Sequence, residues 1–148
     1  MHKSLFFISS LSLSLLFLFS GCSGETDKTV TDFELEHGIG PVNEVITLNE
    51  INPELAQRGK MIYDNLCIAC HQMDAVVTAP RLRNTANNRS AAFILNYILN
   101  PEEMSQRHPV GRQLAGEYPG VKSRLGIEME DALAVLEYLR LAAKGETD

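Results

Sequence analysis

The chain has 148 residues, with 13 Lys and Arg against 19 Asp and Glu, and a formal net charge of −6. That acidic balance argues against nucleic-acid binding, which needs a basic face. The length allows one small hydrophobic core and not two.

In chain order, the first feature is an export signal. His2 and Lys3 precede an apolar, Ser-dotted run from Leu5 to Phe19 that ends at Ser20-Gly21-Cys22. A short positive region, an apolar stretch and small residues before a break describe a secretory signal peptide over residues 1–21. The apolar run falls short of the roughly 20 residues of a membrane span. Leu18-Phe19-Ser20-Gly21-Cys22 resembles a bacterial lipobox, with Phe19 where Leu is usual. Cleavage there makes Cys22 the diacylated first residue, so the chain is anchored to a membrane by lipid, without spanning it, and faces the periplasm. Ordinary cleavage would instead leave Cys22 as an unpaired thiol with no role. The mature chain then carries 12 basic against 19 acidic residues, a charge of −7.

Residues 22–50 read as an acidic tether. Glu25, Asp27, Asp32, Glu34, Glu36, Glu44 and Glu50 face Lys28 alone, and Gly24, Gly38, Gly40 and Pro41 interrupt any long period. This composition predicts disorder or an extended arm. Its later part, from Phe33 to Leu48, has enough apolar residues to lie along a folded domain. His37, a lone histidine in a linker, is expected in solvent.

Residues 51–144 form the predicted domain, with a short tail at 145–148. Helix signals recur and strand signals do not, so the expected fold class is all-α. Asn52-Pro53-Glu54 supplies a cap, a proline for the first position and an acid for the dipole. Leu55, Gly59, Ile62, Tyr63 and Leu66 follow at three- and four-residue spacing. A second helix is predicted from about Ser90 to Leu99, with Phe93, Ile94, Tyr97 and Ile98 buried. Asn100-Pro101-Glu102 starts a short helix holding Met104, and Pro109 starts another that runs towards Leu114 and Tyr118. The last helix spans roughly Glu128 to Ala143, with Leu133, Leu136, Tyr138 and Leu139 inward, and Lys144-Gly145 stops it.

At the end of the first domain helix stands Cys67-Ile68-Ala69-Cys70-His71, the C-x-x-C-H pattern of covalent c-type haem attachment. Two thiols three positions apart on a helical turn share one face, where each can bond a former vinyl group of the porphyrin. The adjacent His71 is the proximal iron ligand in this reading. A structural zinc site needs about four Cys/His ligands, and Cys22 is the one other cysteine in the chain. A redox C-x-x-C belongs in a βαβ context that is absent from this sequence. A disulfide between positions i and i+3 of a helix is poorly placed. One haem c also supplies the apolar mass that a domain this small lacks, so the apo form is expected to fold poorly.

From Asn52 onward the chain resembles a monohaem class I cytochrome c. Gly59 and Tyr63 are similar to the Gly and aromatic of that family's N-terminal helix, which crosses the C-terminal helix near Tyr138 and Leu139. Ala79-Pro80-Arg81-Leu82 is similar to the family's Gly-Pro-x-Leu. The resemblance implies that the Pro80 carbonyl receives the His71 ring N–H, fixing its tautomer, and that Leu82 packs on the haem edge. Gly38-Ile39-Gly40-Pro41-Val42 and Asn100-Pro101-Glu102-Glu103-Met104 also resemble membrane-tethered cytochromes found particularly in Bacteroidetes.

The chain departs from the family where the sixth iron ligand, usually a methionine, precedes the last helix. Alignment puts Lys122 at that position, within Tyr118-Pro119-Gly120-Val121-Lys122-Ser123-Arg124-Leu125. Lys122 would ligate as a neutral amine, its pKa lowered by burial and metal. Met104 is a second candidate, with core packing as its simpler role. His108 would give bis-histidine ligation, although beside Pro109 it is expected near the surface. The fourth reading is a vacant or water-filled position.

Three functions follow from these readings. The first is an electron carrier, not an enzyme, moving single electrons between redox partner proteins. The second is a ligand-binding haem protein, a gas sensor or weak peroxidase, with an open or Lys122-ligated sixth position. The third is a haem subunit of a larger respiratory or denitrification complex. Arg81, Arg83, Arg89, Arg107, Arg112, Lys122 and Arg124 form a basic central segment suited to an acidic partner or to haem propionates, or else an ordinary solvated face.

Overall fold

The computed structural model describes residues 29–120 and 124–147. Among these the secondary structure is seven helices and one isolated bridge, between His71 and Val76, which bears out the all-α expectation. The signal segment, Cys22 and Lys122 lie outside the described residues.

The first helix departs from the expected arm. α1 (Asp32–His37) begins with a capping box in which Thr31 and Glu34 exchange side-chain and backbone hydrogen bonds. It ends at Gly38, whose φ of 82° lies in the left-handed region that glycine tolerates. A six-residue helix has little stability alone; this one packs against α4 (Ala91–Leu99). The connection after it enters the interior through Ile39 and Val42, both buried. Part of the predicted tether is therefore folded onto the domain.

α2 (Pro53–Leu66) starts as its sequence predicts, with the Asn52 side chain accepting the N–H groups of Glu54 and Leu55, each at 3.0 Å. The Asn52 N–H donates to Glu137 of α7 (Met129–Ala143) at 3.0 Å. Glu137 is buried, and Arg140 compensates its charge at 2.5 Å. The crossing of α2 and α7 depends on Gly59, where a Cβ would overlap the carbonyl oxygen of Ala134. One turn later the rings of Tyr63 and Tyr138 meet, with centroids 5.2 Å apart and planes 49° apart. This is the helix crossing that the resemblance implies.

α7 is buried on nearly every side because it packs against α2, α4 and the short α3 (Thr85–Asn88), an element the sequence signals did not reveal. The main core joins Tyr63, Ile94, Leu95, Val135, Leu136 and Leu139. A smaller cluster of Ile39, Phe93 and Met104 sits under the connection after α1. α5 (Pro101–Arg107) and α6 (Pro109–Glu117) pack closely because Gly111 has no Cβ to strike the Met104 carbonyl. Both helices begin with the proline that their sequences place first.

Candidate haem-attachment site

Cys67 caps the C-terminus of α2, and the chain turns immediately after it. Cys67 and Ile68 donate their N–H groups to the Tyr63 carbonyl at 2.9 and 3.0 Å. Cys70 and His71 both donate to the Cys67 carbonyl, at 3.1 and 2.8 Å. These bonds hold the motif as a tight helical turn at the end of a rigid rod. Cys67 is half-buried against the main core and Cys70 is exposed, and both are free thiols. Burial, and secondarily Cys70, raises the Cys67 thiol pKa above its ordinary value, favouring the protonated form.

His71 is held from two sides. Its Nδ1–H donates to the Pro80 carbonyl at 2.8 Å, as the Ala79-Pro80-Arg81-Leu82 resemblance implies. That bond selects the tautomer whose Nε2 carries the lone pair a metal takes. Its backbone carbonyl accepts the buried Tyr63 hydroxyl at 2.7 Å, a contact that sequence reasoning missed. Tyr63 stands four residues before Cys67, so α-helical periodicity puts it on the face of α2 that leads into the motif. The Pro80 loop is stitched to the segment after His71 by Leu82 N–H to the Gln72 carbonyl at 3.1 Å and Arg83 N–H to the Met73 carbonyl at 3.0 Å. Leu82 is partly buried and packs on the main core.

The donor set suits haem c: two thiols at the attachment spacing and an imidazole with its outer nitrogen bound to a carbonyl. Ile98, Leu99, Ile127 and Leu133 lie only partly buried at the edge of the core, apolar surface of the kind a porphyrin would cover.

The other candidate ligands are committed elsewhere. Met104 is fully buried and its sulfur accepts the Ile39 N–H at 3.0 Å, so it serves the smaller core cluster. His108, expected near the surface, is 1% exposed. Its Nδ1 accepts the Val110 N–H at 3.1 Å to cap α6, and its Nε2–H donates to the Leu35 carbonyl at 3.2 Å. His37, expected in solvent, is 8% exposed; its Nδ1 lies 2.9 Å from the Ser90 hydroxyl and its ring centroid 4.5 Å from that of Phe33. Both histidines are buried where α1 folds back on the domain, as the apolar content of Phe33 to Leu48 allowed. Met73 is buried in the main core, and Met129 is exposed at the start of α7.

Several of the central arginines have internal partners. Arg83 grips both carboxylate oxygens of Asp74, at 2.5 and 2.7 Å, and donates to the Ala142 carbonyl at the end of α7, at 3.2 Å. Arg107 pairs with Glu103, Arg124 donates to Asn100, and Arg89 lies over the Phe93 ring.

The sequence profile of the cytochrome c family matches residues 56–142, from within α2 to the end of α7. The chain belongs to the cytochrome c family. Cytochrome c from Rhodothermus marinus is 39% identical, with a TM-score of 0.71 over 76% of this chain and 97% of that one. An engineered form of that cytochrome is 40% identical, with a TM-score of 0.70 over 75% and 96% of the two chains. The engineered protein bound to a carbene intermediate is likewise 40% identical, with a TM-score of 0.67 over 75% and 96%. No curated protein sequence matches the chain. Cytochromes c carry covalently attached haem c, and Cys67 and Cys70 have the spacing for one such group.

Proposed function

We propose that this cytochrome is a one-electron carrier whose single haem c is bonded to Cys67 and Cys70 and ligated by His71. The observation that carries the reading is the 2.8 Å bond from the His71 Nδ1–H to the Pro80 carbonyl, made directly after the two thiols. A histidine whose outer nitrogen is anchored in this way keeps the same orientation in both oxidation states, and little reorganisation accompanies electron transfer. When bound, the haem supplies the one-electron couple of its iron. The chain's own part is to grip the group covalently, aim His71, and cover the porphyrin with apolar side chains.

The electron donor and acceptor are redox proteins held close by the Cys22 lipid, which raises their effective concentration at the periplasmic face of a membrane. Bacterial cytochromes c are usually exported, in keeping with the signal segment. With Arg83, Arg107 and Arg124 engaged internally, partner docking cannot rest on all of the basic central segment.

A second reading follows from Met104, His108 and His37 being bonded elsewhere: the sixth iron position is held by Lys122 or stays open to small ligands. Met104 and His108 are accordingly not proposed as ligands.

The test of the carrier is spectroscopic. Expression with haem-maturation machinery should give a haem retained through denaturation, with the pyridine-haemochrome band of two thioethers. Cys67→Ala with Cys70→Ala should abolish covalent retention. Carbon monoxide binding to the reduced protein at neutral pH would favour the open sixth position. A far-red methionine–iron band in the ferric spectrum would sink both the Lys122 and the open readings, and Lys122→Met should create that band.

A further inference from the structure

We propose that Tyr63 is a positioning residue for the proximal histidine: its hydroxyl, bonded to the His71 carbonyl, holds the imidazole against Pro80 and so sets the reduction potential of the haem. The proposal rests on the reading of His71 as the iron's proximal ligand.

Three polar groups of His71 are fixed by neighbours. The backbone N–H donates to the Cys67 carbonyl at 2.8 Å, the ring Nδ1–H to the Pro80 carbonyl at 2.8 Å, and the backbone carbonyl accepts the Tyr63 hydroxyl at 2.7 Å. The first bond is local to the turn, and the second reaches a loop. The third comes from the most extensive helix–helix contact among the described residues, the crossing of α2 and α7. There Gly59 lies against the Ala134 backbone, and the Tyr63 ring, 3% exposed, packs at a tilt against Tyr138. The phenol therefore carries the register of that crossing to the residue beside the iron.

Packing alone does not call for the hydroxyl. A phenylalanine would fill the same space and stack on the same ring, and a buried hydroxyl is costly to desolvate unless it finds a partner. Its partner here is the backbone carbonyl of the same residue whose ring donates to Pro80. Without it His71 keeps its backbone bond to Cys67 and its bridge to Val76 but loses its tie to α2, and the Nδ1–H bond to Pro80 lengthens. A weaker bond at Nδ1 makes the imidazole a poorer donor to iron. Ferric iron gains more from a basic ligand than ferrous, so the potential rises.

The experiment compares the haem-loaded wild type with Tyr63→Phe and Tyr138→Phe, each keeping the ring pair. Two quantities are read: the midpoint potential, and the solvent exchange rate of the His71 Nδ1 proton in the reduced protein by NMR. For Tyr63→Phe the expected result is a higher potential and ring-proton exchange faster by about fivefold, the factor that one lost hydrogen bond permits. Tyr138→Phe, which leaves the Tyr63–His71 bond in place, should change neither. A Tyr63→Phe protein with wild-type potential and exchange overturns the positioning role, as does an equal shift in Tyr138→Phe. A wild-type holoprotein whose His71 ring shows no iron-shifted resonance overturns the ligand reading itself, and the proposal with it.

Discussion

Asn96 shows how much one buried side chain can organise. Its Nδ2 donates to the carbonyls of His37, Gly38 and Val42 at 3.0, 3.1 and 2.9 Å, and its Oδ1 accepts the Val42 N–H at 2.9 Å. This one carboxamide satisfies a connection that could not otherwise run through the interior. Replacing it by leucine keeps the bulk but leaves those backbone groups unpaired. We expect Asn96→Leu to lower stability by about 3 kcal/mol, read from the urea midpoint of the holoprotein. Arg83 works in the same way from the surface. Its hydrogen bonds, and then its charge, hold the Asp74 carboxyl below the usual carboxylate range. A depressed carboxyl contributes stability that is complete above about pH 4 and is lost as the pH falls through its lowered value. Asp74→Asn should therefore be less stable than wild type at neutral pH, and the gap should close in strong acid when thermal midpoints are followed down in pH.

Helices meet in this fold where side chains are missing. At Gly59 and Gly111 a single added carbon would strike the carbonyls of Ala134 and Met104. Gly59→Ala forces α2 away from α7, and overpacking of this kind costs about 1–3 kcal/mol. Because α2 also carries Cys67 and Tyr63, the expected outcome is a lower melting temperature together with a poorer yield of covalent haem, measured by absorbance per mole of protein. α6 offers a different sensitivity. Its cap is the imidazole of His108, which also donates to the Leu35 carbonyl and so joins α6 to α1. His108→Asn should preserve the cap and lose the link to α1, while His108→Ala should lose both. Thermal denaturation should rank wild type above Asn and Asn above Ala, with about 1 kcal/mol between the two variants for the cap.

At the scale of the molecule, the core is a thin layer between α2, α4 and α7, with apolar edges at Leu82, Ile98 and Ile127 left partly uncovered. Such a domain gains much of its buried area from the haem, and a group that binds only the folded chain stabilises it by linkage. The Cys67→Ala, Cys70→Ala protein should accordingly show much reduced helical ellipticity and a broad, weakly cooperative melt. A sharp wild-type-like transition would show that α2 and α7 hold together unaided.

What was legible in the sequence was local chemistry. The C-x-x-C-H turn, the Asn52 cap, the prolines opening α5 and α6 and the apolar spacing of α2 and α7 each act within a few residues. Their physics is complete in a short window, whereas the His71–Pro80 bond was expected from the resemblance of Ala79-Pro80-Arg81-Leu82 to the family's Gly-Pro-x-Leu. The tertiary structure decided what depends on distant contacts. α1 is a helix because α4 gives it a surface; that docking buries His37 at its end and sets Leu35 against His108. Met104 faces Ile39 across 65 residues. A charged, glycine-broken segment reads as solvent-exposed until a partner 50 or more residues away buries it.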